Sequence, residues 1–404
     1  MSSFSWLDTA ESDRRAAMDV IDLFRERDTR DELGIGTVRD TFSDLLFPGT
    51  SAIQTRARYF LVIPWLYQRL ERSKTESAEV VQKARQEEIK LIDVLEASDN
   101  SHGTIGIRAR RTLKRLPSMI YWQGLGRLGI RTFGGSRDQY HRSLDRFYQR
   151  TGGTIRNDDG EVSEYGRIRN WDRTLPPAPP GFPKTCSLAL TQPEAAYLRD
   201  RIRHAAPRSL FAHLLDSHAA VSDVDFPWEH PEAEQFPTYV VPVLHHAQNF
   251  SEAMQGASLL YNLMLAELRG DAEMVAEYRE SLTLWRDSAV GAADRLRAWS
   301  LVAFWDTVSS GNARVPNPTR SFINAWLALV RDERQLSAID GETARTLVRE
   351  RERALKRGLA RMDGGRALEL WGGATGTRQM DYRWSATART MITDIHDGLA
   401  RTDA

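Results

Sequence analysis

Apolar side chains recur every three or four positions over most of the 404-residue chain, the spacing that places them on one face of an α-helix. Thr9 or Ser12 can cap a helix reaching about residue 27, with Ala17, Val20, Ile21 and Phe24 on a single stripe. A second helix is predicted from about Thr37 to the stop at Pro48-Gly49, burying Val38, Phe42, Leu45 and Leu46. Residues 54–73 are apolar on every side and predict a fully buried helix. A charged amphipathic helix over 76–97 follows, and helices over 105–116, 119–128 and 137–149 complete an N-terminal helical part, residues 1–150.

The helical register stops between 151 and 190. Thr151-Gly152-Gly153, the run Asn157-Asp158-Asp159-Gly160, and prolines 176, 177, 179, 180 and 183 are too dense in turn formers for a helix. Residues 154–168 fit a short β-hairpin around Asp159-Gly160, and the proline cluster fits a semi-rigid spacer or a surface wrap. Beyond 190 the pattern predicts helices at 192–204 and 207–216 and a Pro-rich loop near 226–242. Further helices are predicted at 243–268, 272–288, 293–308, 319–333, 342–361 and 380–399. Trp285, Trp299, Trp305, Trp326 and Trp384 all fall on apolar stripes. The expected fold is all-α: an N-terminal part, a Pro/Gly-rich linker or hairpin at 151–190, and a Trp-rich helical part at 191–404.

Composition narrows this little. With 41% hydrophobic and 9% aromatic residues the chain has enough apolar surface to fold. A single cysteine, Cys186, excludes an internal disulfide framework and any all-cysteine metal site. The opening residues lack the basic and apolar regions of a secretory leader. The longest apolar run, 59–67, contains Pro64 and is far shorter than the ~20 residues of a bilayer span. The expected setting is the cytoplasm, away from membrane.

Charge changes the picture more. The 55 basic and 55 acidic residues cancel overall but not locally: residues 1–101 sum to −5, 102–150 to +9, and 151–404 to −4. Such asymmetry points to an anionic partner. Within the basic block, a helix over 105–116 would gather Ile105, Ala109, Leu113 and Leu116 within an arc of about 80°. Arg108, Arg110, Arg111, Lys114 and Arg115 would fill an arc of about 160° opposite. That face, with Arg127 and Arg131 nearby, forms the candidate contact for DNA or RNA phosphates. It would serve an acidic partner or surface equally well, and the acidic stretch 76–99 beside it is able to neutralise it from within.

Other motifs carry less. Tyr121-Trp122 beside cations suits base stacking, but at helical spacing it also suits a core. Gly124-x-Gly126-x-x-Gly129 has the dinucleotide spacing without the preceding strand, and no P-loop or Gly-x-Ser-x-Gly string occurs. The nine histidines form no metal motif, and no cofactor is expected. Glu88-Ile-Lys90 matches a fragment of a nuclease pattern, on a helix rather than a strand. Arg56 and Arg58 open an otherwise apolar helix and must pair or snorkel; Asp40 or Asp44 are the expected partners.

The strings Phe4-Ser-Trp-Leu-Asp8, Asp31-Glu-Leu-Gly-Ile-Gly36, Phe47-Pro-Gly-Thr50 and Gln54-Thr-Arg-Ala-Arg-Tyr-Phe-Leu61 with Pro64-Trp65 resemble a bacterial family of unknown function. Leu296-x-x-Trp299, Phe304-Trp305, and Asp381-Tyr-Arg-Trp384 before Asp394-Ile395 are similar to its C-terminal landmarks. The resemblance implies a role in phage defence beside helicase and phospholipase-D-like nuclease genes, and supplies no catalytic residues. The expected function is therefore a non-enzymatic component of a bacterial antiphage defence or DNA-processing assembly, contacting nucleic acid or a helicase or nuclease partner. Two alternatives stand beside it. One is a metal-dependent nuclease or hydrolase assembled from dispersed residues, with Glu229, His230 and His245 as first suspects; the other is a pure protein scaffold.

Overall fold

The computed structural model describes residues 32–151, 169–217, 223–311, 313–374 and 376–402. Among these residues the fold is all-α, with sixteen α-helices, a few 3-10 turns, one isolated antiparallel bridge between Arg131 and Trp171, and no strand. The helix predicted before residue 27 and the hairpin at 154–168 lie outside the described residues. No described helix is long and apolar enough to cross a membrane.

The chain forms two compact units, neither continuous in sequence. One joins the N-terminal residues up to Phe42 to Val243–Tyr382; the other joins Ser43–Pro242 to Arg383–Ala404. The Pro-rich residues 169–190 thus belong within the second unit rather than lying between units. There they wrap: the Trp65 indole N–H donates to the Pro176 carbonyl at 2.7 Å, and Phe182 packs edge-on against Trp65 at 5.6 Å.

In the first unit the helix Val241–Arg269 buries most of its residues from Leu244 onward and every residue from Leu259 to Ala266. Neighbouring helices Ala272–Gly291 and Asn317–Arg331 send tryptophans onto it. The Trp285 and Trp326 indoles donate to its Glu252 and Ala253 carbonyls at 2.7 and 2.8 Å. Gly256 makes room, since any side chain there would strike the Trp285 ring. Trp285, Trp299, Trp305 and Trp326 are all buried in this unit and Trp384 in the other, so the Trp-rich stripes are core. Glu352, fully buried, accepts hydrogen bonds from Tyr261, Lys356 and the Met362 amide, while Lys356 and Arg361 also meet Glu32.

The second unit is built around the helix Tyr59–Arg72, buried from Tyr59 through Tyr67. Tyr67 sits in a ring cluster with Trp122, Tyr140, His141 and Trp171. The C-terminal helix Arg389–Ala400 packs on Gln192–Ala205, where Gly398 lies against Leu190 and Ala195.

Several predicted helices are shorter or divided. The stretch 293–308 breaks at Trp299, whose extended backbone lets Ser300 cap a new helix Leu301–Ser310 by accepting from the Ala303 amide. The same break brings the Trp299 indole N–H to His246 Nδ1 at 2.8 Å. The last helix cannot start at Met380, because Tyr382 and Arg383 have φ of +54° and +72°. It opens at Trp384 with a wide π-turn and becomes regular from Arg389.

Candidate nucleic-acid interface

The basic helix expected over 105–116 is not formed. Gly103 and Gly106 take φ of +81° and +92°, and the segment runs as successive turns with one 3-10 turn at Arg110–Thr112. Tertiary contacts impose this path. The Thr55 hydroxyl donates to the Gly103 carbonyl at 2.6 Å, and the Ile105 amide donates to the Tyr59 hydroxyl at 3.0 Å. A Cβ on Gly106 would come within 2.8 Å of Leu113 and Ile92, so the loop lies tight against the acidic helix Val80–Glu96.

That helix takes up part of the charge. Arg110 pairs with Asp93 and Glu96, and Arg85 returns the favour by donating to the Arg111 and Leu113 carbonyls at 2.8 and 2.9 Å. Arg108, Arg111, Lys114 and Arg115 remain exposed. Arg127 is exposed and makes a long 3.5 Å contact with the Ala205 carbonyl. Arg131 is buried: its guanidinium stacks on Trp122 at 4.7 Å and donates to the Trp122, Phe133 and Gly135 carbonyls. Burial lowers its pKa, and it is not a solvent-facing cation.

Tyr121 and Trp122 are core residues. The Tyr121 hydroxyl accepts from the Thr55 and Arg56 amides and donates to the Arg56 carbonyl, all within 3.1 Å. Gly124 lies inside the helix Pro117–Arg127, where a Cβ would strike the Gly49 carbonyl and the Phe60 ring. Close packing explains that glycine without any nucleotide.

Three arginines that the sequence reading passed over form the most regular cationic feature of the block. The helix Arg137–Thr151 buries Tyr140, His141 and Leu144 and exposes Arg142, Arg146 and Arg150 on the opposite face. At spacings of four they stand in one row, each about 6 Å along the axis from the next. None has an ion-pair or hydrogen-bond partner among the described residues. Asp145, on the same helix, instead accepts the Ser77 amide at 2.9 Å. Elsewhere in this unit exposed or half-buried arginines do meet acids: Arg69 with Glu87, Arg203 with Asp216, Arg389 with Asp223. Like charges at i,i+4 destabilise a helix by a few tenths of a kcal/mol per pair, so fold stability gives no reason for the row.

Arg56 and Arg58 pair with neither Asp40 nor Asp44. Arg56 meets Asp394 through Nε at 2.9 Å and Nη2 at 2.7 Å, and Arg58 meets Glu194 at 2.7 Å, all buried. Asp44 is taken by Arg383 and Asp40 by its neighbour Arg39.

The residues suspected of enzymatic chemistry are not brought together. His230 is buried against Phe236 and accepts the Glu232 amide through Nδ1 at 3.2 Å, whereas Glu229 and His245 are exposed. Glu88 is buried beneath the Ser118 amide and hydroxyl, at 2.8 and 2.7 Å, while Lys90 faces solvent beside Glu87. Burial pushes the Cys186 thiol up to about 11, which disfavours the nucleophilic thiolate at neutral pH. Among the described residues no three His, Cys, Asp or Glu side chains converge as a metal site.

Comparison with curated proteins and with solved structures returned no match. A family model does match residues 1–398, nearly the whole length, and the chain belongs to the DUF6361 family, a family of unknown function.

Proposed function

We propose that this chain is a non-enzymatic, nucleic-acid-contacting component of a bacterial antiphage defence or DNA-processing assembly, working beside a helicase or nuclease. The observation that carries the contact is the row Arg142, Arg146 and Arg150: three exposed guanidinium groups in register, unmatched by acid among the described residues. Such a row suits successive phosphates of one strand and reads no sequence, because backbone contacts position a protein without identifying bases. The exposed cations of the 108–115 loop extend the same charged block.

The test is binding of duplex DNA, single-stranded DNA and RNA oligonucleotides by fluorescence anisotropy across 25–200 mM salt. Wild-type protein binds with an affinity that falls steeply with salt. Arg142→Glu/Arg146→Glu/Arg150→Glu lowers the duplex salt slope by about 2.7, at about 0.9 per phosphate contact. Reversal of Arg108, Arg111 and Arg115 has the smaller effect. Absence of salt-dependent binding in the wild type, or unchanged binding in the row variant, refutes the reading. Co-purification with the products of adjacent genes tests the helicase or nuclease partner.

A further inference from the structure

The first unit contains an open pocket of about 470 Å³, formed where the end of helix Leu301–Ser310 meets the start of Asn317–Arg331. Its walls include Trp305, Ser309, Arg314, Pro316, Asn317 and Arg320, and no carboxylate lines it. The volume lies within the range of small-molecule sites.

Two features set its arginines apart. Neither Arg314 nor Arg320 has an ion pair or hydrogen bond among the described residues, whereas Arg295, Arg297, Arg345 and Arg353 of the same unit are each matched by an acid. Arg320 is also held in place: its guanidinium lies 4.6 Å from the centroid of the Trp305 ring. Trp305 is itself fixed by donating to Asn324 Oδ1 at 2.9 Å and by edge-on packing against Phe304 at 4.8 Å. Stacking occupies the flat face of a guanidinium and leaves its N–H edge for an acceptor in the plane. Two such cations in one concave site, with Ser309 and Asn317 as neutral hydrogen-bonding groups, match an anion with several oxygens and more than one negative charge.

We propose that this pocket binds a phosphate monoester, with Arg320 and Arg314 on the phosphoryl oxygens and the Val308, Val315 and Pro316 wall beside the group that carries it. The shared chemistry fits both a free nucleoside monophosphate and the 5′-phosphate end of a nucleic acid strand. The site is independent of the arginine row on Arg137–Thr151, which belongs to the other unit.

Isothermal titration calorimetry on the full chain tests it with five probes: inorganic phosphate, adenosine, AMP, and a short oligonucleotide with either a 5′-phosphate or a 5′-hydroxyl. AMP binds and adenosine does not; Arg314→Ala and Arg320→Ala each weaken AMP at least tenfold. Arg314 is exposed and has no hydrogen bond or ion pair among the described residues, so its truncation leaves the fold intact. Arg320→Lys restores less than half of the lost binding energy, because an ammonium cannot present two parallel donors. A strand end as the ligand shows as preference for the 5′-phosphorylated over the 5′-hydroxyl oligonucleotide that exceeds the response to AMP. The Arg142/Arg146/Arg150 charge reversal leaves AMP binding unchanged, so failure of the row and failure of the pocket read out separately. No heat with any phosphate ester, or equal binding by Arg314→Ala/Arg320→Ala and wild type, overturns the proposal.

Discussion

Replacing Asp394 with alanine leaves the Arg56 guanidinium buried and without a carboxylate among the described residues. Asp394 accepts from Arg56 Nε and Nη2 and from the Ala57 amide at 2.9 Å, so it closes the turn that precedes helix Tyr59–Arg72 onto the C-terminal helix. Removing one member of a buried pair costs about 3–5 kcal/mol. Arg56 keeps the Asn100 side chain and the His102 carbonyl, both at 2.8 Å, which places the loss at the lower end. The orphaned Ala57 amide adds about 1 kcal/mol, for about 4 kcal/mol in all. At about 2–4 °C per kcal/mol for a unit of this size, the melting temperature falls by about 8–16 °C in calorimetry.

Two companions check the cause. Asp394→Asn preserves shape and an acceptor for Ala57 and loses only charge, so it falls between wild type and alanine. Arg56→Met/Asp394→Leu leaves no buried charge and is more stable than Asp394→Ala, because replacing a whole buried pair by apolar groups is often neutral. A shift below about 2 °C for Asp394→Ala, or a double variant no better than the single, refutes the reasoning.

Burial pushes Glu88 up to about 7 from 4.5, against the pull of Ser118, Arg137 and Arg85, so the folded state holds its proton and stability falls as pH rises from about 4.5 to about 7. His141, pushed down to about 4 from 6.5 by burial, acts oppositely: its contribution is present above 6.5 and lost as pH falls towards 4. Glu88→Gln therefore leaves the His141 slope alone, and the melting temperature of wild type minus variant declines from pH 4.5 to 7.5; a constant difference across that range contradicts the assignment. Gly256→Ala forces the Trp285 ring off helix Val241–Arg269 and costs about 1–3 kcal/mol in urea unfolding, with a red shift in tryptophan emission; an unchanged spectrum rejects this packing account.

Helix content was legible because helical periodicity is local. Val38, Phe42 and Leu46 announce one buried face, and the run 59–67 another, whatever lies elsewhere in the chain. What was not legible depends on residues far apart. A helical wheel for 105–116 shows which side each arginine would take, but it holds no trace of Thr55 and Tyr59 drawing the backbone into turns. Arg56 announces that it needs a partner; that the partner is Asp394, 338 positions away, follows only from the packing of the C-terminal helix. The two compact units were hidden for the same reason, since each is assembled from separated stretches. The Arg142, Arg146, Arg150 row is different. Its spacing of four was open to reading, since Arg142 and Arg146 fall on the helix expected over 137–149 and Arg150 follows it directly.

The formal +9 of residues 102–150 overstates what a partner meets and understates how it is arranged. Arg131 is inside, stacked on Trp122; Arg137 donates to the Ser118 hydroxyl at 3.1 Å; Arg110 is answered by Asp93 and Glu96. Of these only Arg110 is offset by carboxylates; Arg131 and Arg137 keep their charge but turn their donors onto neutral acceptors of the protein. At physiological salt, screening reduces interactions beyond about 8 Å, so an acid within that distance of a cation offsets its pull on a polyanion. The row on Arg137–Thr151, in steps of about 6 Å along the axis, has no ion pair among the described residues. In the 108–115 loop the acidic helix Val80–Glu96 lies within the same screening distance and opposes any anion that approaches Arg110. If the chain contacts nucleic acid as proposed, the row, rather than the loop with the denser run of basic residues, is therefore expected to set the salt slope of that binding, and charge reversal at Arg142, Arg146 and Arg150 to weaken it more than the same change at Arg108, Arg111 and Arg115 in the anisotropy titration.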